Sequence, residues 1–289
     1  MTAISGSSTT LDSSTILEAI ERLDAMPTSV NRLLDLAETQ DAGIADVSEI
    51  VRFDAVLSAD VLRKANSPMY GARQAIVDAT MAVGRLGFDD VLHMAMVRAM
   101  RGRMAEALPP YGFDRDGLWK HSLEASIAAE CISRYSAEPT PNGAGTAALL
   151  HDIGKLVLAD CVPRSTMMRI AQMAQESGRG MHELEVELLG LHHGQVGATV
   201  ARAWGFPVSV QVAITGHHPP YPGDDPLSRI VRTANAMAHE LDAFVENPQN
   251  SIAQTTADAI IRCGVDVRKI GEMYELAVAS RDEVLASFN

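Results

Sequence analysis

The chain has 289 residues, 47% of them hydrophobic, and its 24 Lys+Arg against 37 Asp+Glu leave a net charge of −13. Such a chain can bury a sizeable core in one large domain or two small ones. Its composition excludes a disordered polymer and a broad basic surface for nucleic acid, which would need clustered Lys and Arg. Aromatic residues make up 4%, so Ala, Leu, Val and Met must fill the core, a mixture that suits helices better than sheets.

Residues 1–14 are rich in Ser, Thr and Gly and read as a flexible tail. No Lys or Arg precedes Arg22, no apolar leader is evident, and no run approaches the roughly 18 apolar residues that span a bilayer. The expected location is the cytoplasm, with no membrane partner. Thr15 with Glu18 reads as a capping box opening the first helix, and Asp46 with Glu49 as a second cap before Val47, Ile50 and Val51. Between them Val30, Leu33, Leu34 and Ala37 recur at helical spacing. The stretch Ala65-Asn66-Ser67-Pro68-Met69-Tyr70-Gly71 interrupts the pattern. Periodicity then predicts helices over 79–86, 90–104, 118–135, 145–160, 166–176, 184–191, 195–204, 209–215 and 227–241. After Asn247-Pro248 it predicts two more, over 252–263 and 267–288. With no sustained period-two alternation, the expected class is all-α, an orthogonal multi-helix array.

Several features have plain structural readings. Cys131, Cys161 and Cys263 are odd in number and widely spaced, so they are expected to be reduced and buried. Met94, Met96, Met100 and Met104 read as core filler. Residues 196–209 look like a helix-turn-helix, but the second half lacks the Lys and Arg that would meet phosphates, so no DNA partner is expected.

The chemistry concentrates in histidines between His121 and His218. In Leu149-Leu150-His151-Asp152-Ile153-Gly154-Lys155 an imidazole and a carboxylate are adjacent at the end of an apolar run. Side chains of helical neighbours point about 100° apart, so both reach one ion only if it lies between them. The second carboxylate oxygen allows Asp152 to bridge two ions, as in centres that hold cations roughly 3.5–4 Å apart. Further donors must come from distant segments: His121, His193 in His192-His193-Gly194-Gln195, and His217-His218. His192 is expected to face away from the site. His93, His182 and His239 are assigned surface or satisfied core roles.

This ordered set resembles the HD superfamily of metal-dependent phosphohydrolases, and its surroundings look like the HDOD branch, the HD-related output domain of bacterial signalling proteins. The stretches carrying the resemblance include Met26-Pro27-Thr28, 65–71, Arg85-Leu86-Gly87, Trp119-Lys120-His121-Ser122, 149–158, Val196-Gly197-Ala198, Trp204-Gly205-Phe206-Pro207 and Ala213-Ile214-Thr215-Gly216-His217-His218, over most of residues 20–240. The resemblance implies an HD-type helical array over 15–245, with an N-terminal helical subregion at 15–110 and an HD-like part at 111–245; the amphipathic C-terminal helices at 246–289 fit either an appendage or a part packed on the main body. It also implies one metal held by His121, His151, Asp152 and position 235, and a second by Asp152, His193, His217 and His218.

Where competent HD proteins place a final Asp, this chain has Asn235, which offers a neutral carbonyl in place of a charge. Lys155 resembles the phosphate-contacting lysine of the related HD-GYP phosphodiesterases, but Pro219-Pro220-Tyr221-Pro222-Gly223-Asp224-Asp225 does not reproduce their Gly-Tyr-Pro signature. The expected function is therefore a signalling or regulatory module with a retained but incomplete metal pocket and little or no hydrolase activity. An active phosphohydrolase, with Asp152 and Lys155 catalytic, and a metal-free interaction scaffold are the alternatives. The expected cofactor is a divalent metal, iron or manganese ahead of nickel or zinc. The expected partners are a signalling protein, a nucleotide or phosphate ligand, and a second copy of the chain.

Overall fold

The computed structural model describes residues 11–23, 26–37, 39, 43–67, 70, 74–218, 225–247 and 252–288. Among them are seventeen α-helices, two single turns of 3-10 helix, and no strand beyond two isolated bridges. An N-terminal series comprises α1 (Ser13–Arg22), α2 (Thr28–Ala37), α3 (Ile44–Phe53), α4 (Ala55–Asn66), α5 (Ala79–Leu86) and α6 (Phe88–Arg103). Next come α7 (Gly117–Tyr135), α8 (Ala144–Leu150), α9 (Gly154–Cys161), α10 (Arg164–Ser177), α11 (Met181–Leu189), α12 (His193–Ala203), α13 (Val208–Thr215), α14 (Pro226–Ala238) and α15 (Leu241–Glu246). The last two are α16 (Gln254–Arg262) and α17 (Ile270–Ala286).

Helix α7 is buried around most of its circumference, from Leu118 and Trp119 through Leu123, Ala125 and Ala128 to Ile132. A helix apolar on all sides belongs at the centre, and α8, α14 and α17 pack around it. The C-terminal helices are thus part of the main body, with the Phe288 ring meeting Trp119 edge-on at 5.2 Å. Helix α1 docks on α9 and α12, joined by an Arg22–Asp160 ion pair at 2.6 Å.

Helix starts follow capping chemistry, though not always where expected. Asp54, Asp78 and Asp225 accept hydrogen bonds from the backbone N–H of Leu57, Met81 and Ser228, which opens α4, α5 and α14. Helix α1 begins at Ser13, so Thr15 lies inside it and is not a cap. In α3 the cap is Gly43, whose N–H donates to the Asp46 carboxylate, so Asp46 acts from within the first turn. The run expected as one helix over 145–160 is two, broken at His151-Asp152-Ile153.

The second helix of the helix-turn-helix look-alike, α13, packs on α12, α14 and α8. Met96, Met100 and Met104 are fully buried and Met94 partly so. Cys131 and Cys263 are buried, but Cys161 is half-buried, because α9 ends at the surface there; all three are free thiols. No helix among the described residues is long and apolar enough to cross a membrane. The 219–224 stretch and residues 1–10 of the expected tail lie outside the described residues, whereas Ser13 and Ser14, expected in that tail, form the first positions of α1.

Candidate metal centre

The site is built at helix ends, where the last carbonyls lack intrahelical partners. His151 follows α8, and its Nδ1–H donates to Ala148 O at 2.6 Å. His217 follows α13 and repeats the arrangement with Ile214 O, also at 2.6 Å. A backbone carbonyl can only accept, so Nδ1 carries a proton and each ring turns its Nε2 inward. His193 opens α12. Its Nδ1–H donates to Glu185 Oε2 at 2.7 Å, its backbone N–H reaches the same oxygen at 2.9 Å, and the Tyr111 hydroxyl donates to Glu185 Oε1 at 2.7 Å.

These fixed rings converge on Asp152. Oδ1 lies 3.3 Å from His193 Nε2 and 3.5 Å from His217 Nε2, and His218 Nε2 is 2.9 Å from that of His193. Oδ2 lies 3.2 Å from His151 Nε2, 3.7 Å from His121 Nε2 and 2.5 Å from Lys155 Nζ. The ligand atoms fall into two sets sharing Asp152: His121 and His151 on one side, and His193, His217 and His218 on the other. Asp152 is 1% exposed, His151 0%, His193 1%, His217 2% and His121 6%; such burial would be costly for these polar groups without partners or an ion.

Close approach of α9 and α12 makes this geometry. A Cβ on Gly154 would lie 1.9 Å from His193 O and 2.7 Å from Gly197 N, so only glycine lets the two helix starts meet.

The electrostatics hold Asp152 charged and disfavour charge on His121, His217 and His218, while His193 is pulled the other way. Burial opposes the charge on Asp152, but His151 and Lys155 outweigh it and hold the carboxyl well below its usual range. Burial, reinforced by His151, keeps His121 well below the ordinary imidazole value; burial also takes His217 down to about 3, and with its neighbours His217 and His193 depresses His218. For His193 burial again works against charge, yet the ionised Glu185 beside it prevails and raises the group.

Asp152 Oδ1 is buried without a hydrogen-bond partner among the described residues. With the imidazole Nε2 atoms of His193, His217 and His218 gathered beside it, this donor set fits a divalent cation. Asn235 sits on α14, which packs against α7 and α8, and its Oδ1 is likewise buried without a partner among the described residues. His192 stands outside both ligand sets, its ring accepting from Gly194 N–H as an N-cap.

Sequence reasoning missed the supporting groups. Glu185 and Tyr111 orient His193. His182 stacks on His218 with ring centroids 4.2 Å apart, and the exposed His239 lies 4.5 Å from the His121 ring. The one available signal was helical spacing: His239 follows Asn235 by one turn of the same face.

Fold and site together define an all-α protein with a buried histidine–aspartate centre. The chain belongs to the HDOD domain family, whose model matches residues 23–220. It is 25% identical to a candidate phosphohydrolase from Shewanella amazonensis SB2B, with a TM-score of 0.66, covering 92% of this chain and 97% of that one. A candidate signal-transduction protein from Marinobacter aquaeolei VT8 shares the fold at 24% identity and a TM-score of 0.60, covering 95% of this chain and 64% of that one. A curated relative from Treponema pallidum (strain Nichols), itself uncharacterised, is 24% identical over 242 residues, 81% of this chain. The chain spans about half the length of that relative, 46%.

Proposed function

We propose that this chain is a regulatory HDOD module whose buried centre holds a divalent metal and hydrolyses phosphodiesters slowly or not at all. The observation that carries the reading is the orphaned Asp152 Oδ1, faced by the Nε2 atoms of His193 and His217. His193, His217, His218 and Asp152 would hold the ion, with iron or manganese as the occupant. A bound divalent ion supplies Lewis-acid polarisation and a strong cross-link between helices. Here the cross-link joins the α8–α9 break, the start of α12 and the end of α13, so occupancy would set how these helices sit for a signalling partner.

Two features argue against efficient turnover. The donor side containing His121 and His151 has Asn235 where a charge would anchor a second ion, and phosphodiester hydrolysis depends on charge neutralisation as well as an activated nucleophile. All the donors except the half-buried His218 are also closely enclosed, Asp152 and His151 at 1% and 0% exposure.

Elemental analysis of the purified chain, paired with assays of a generic phosphodiester and of cyclic dinucleotides under added manganese or iron, separates the readings. The module reading expects bound metal and background hydrolysis. Turnover that Asp152→Ala abolishes would establish an enzyme instead, and absence of metal under anaerobic, metal-replete conditions would favour a scaffold.

A further inference from the structure

Resting on the metal-binding reading above, we infer that the centre is mononuclear by construction: the Lys155 ammonium occupies the His121–His151 side of Asp152 in place of a second metal. The two carboxylate oxygens are treated differently. Oδ1 makes no hydrogen bond among the described residues and faces only the Nε2 atoms of His193 and His217 at 3.3 and 3.5 Å, whereas Oδ2 receives Lys155 Nζ at 2.5 Å. The lysine is housed as a buried cation, its side chain 13% exposed and its Nζ 5.3 Å from the ring centroids of both Tyr111 and Phe113. Aromatic faces at that distance attract an ammonium. Both rings are tied into the centre, Tyr111 through its bond to Glu185 and Phe113 by packing 5.8 Å from the His121 ring.

Charge leads to the same assignment. Asp152 and Glu185 supply two negative charges and Lys155 one positive, so with each imidazole neutral, as a metal ligand must be, one divalent ion leaves a single positive charge in excess and two ions leave three. Such an excess in a buried site is strongly unfavourable. Asn235 adds no charge to offset it. Replacing Lys155 by a neutral residue and Asn235 by Asp brings a two-ion centre back to the same single excess charge.

The test is metal stoichiometry, read by elemental analysis and titration calorimetry with Mn(II), together with the electron paramagnetic resonance of the loaded protein. Wild type is expected to saturate at one equivalent with the hyperfine pattern of isolated Mn(II). The Lys155→Met/Asn235→Asp double variant is expected to take two, with an exchange-coupled signal. Two equivalents in the wild type overturn the inference whatever the variant does, and so does a folded double variant that stays at one; both outcomes leave the metal-binding reading standing. No metal in the wild type overturns that reading and the inference with it.

Discussion

At Gly154 the start of α9 runs so close to α12 that a single methyl group would meet the His193 carbonyl at 1.9 Å. Backbone cannot yield as a flexible side chain does, so Gly154→Ala must part the helices that carry Asp152 and His193. We expect a loss of about 3 kcal/mol, the upper end for overpacking, together with loss of bound metal. Gly271→Ala, where the new methyl meets nothing within 4 Å in α17, should change stability by no more than about 1 kcal/mol and leave metal content unchanged. Urea denaturation with elemental analysis checks both, and a metal-replete Gly154→Ala protein of normal stability would refute the argument. The candidate donors were legible because each lies in a local motif, His151-Asp152 and His217-His218 above all. Glu185 was not, since its eight-residue separation from His193 carries no pattern, and only the fold of α11 onto α12 turns a helical glutamate into the ring's anchor.

Helices were legible wherever burial and periodicity agree, as in α5, predicted with the bounds it has, and in α7, α10 and α13 to within two residues. They were less so where tertiary contacts override local pattern. Hydrophobic spacing runs unbroken from α8 into α9, and nothing in it marks the interruption at 151–153, where His151 turns back to bond a carbonyl of α8. The C-terminal helices raised a question of docking that amphipathicity alone cannot answer. The answer lies in Arg281 on α17, 7% exposed, which reaches Glu124 of α7 at 3.3 Å and Asp242 of α15 at 2.8 Å. Burial pushes the Glu124 carboxyl up to about 6 despite Lys120 and Arg281 nearby. A folded-state value above the unfolded one favours folding fully below about pH 4.5, and that contribution is lost as pH rises through 6. Arg281→Ala raises Glu124 further, so its cost should reach about 3 kcal/mol at pH 8, where a buried carboxylate is left without its partner, and be much smaller at pH 5, where Glu124 takes up a proton. Denaturation curves at the two pH values measure this; an equal cost at both would show that Arg281 acts by packing alone.

For the molecule as a whole, the arrangement of helices around α7 exists in a form that brings chain segments about a hundred residues apart to one carboxylate. Sequence could order those segments and, through their resemblance to HDOD proteins, propose that they meet. It could not show that one oxygen of Asp152 is left open while the other is taken by Lys155, because that asymmetry depends on the aromatic box formed by Tyr111 and Phe113. A crystal of the metal-loaded chain, measured on either side of the ion's absorption edge, addresses the account most directly. It should give one anomalous peak about 2.0–2.3 Å from the Nε2 atoms of His193, His217 and His218 and from Asp152 Oδ1. A peak elsewhere, or none at those four donors in metal-saturated protein, would contradict it.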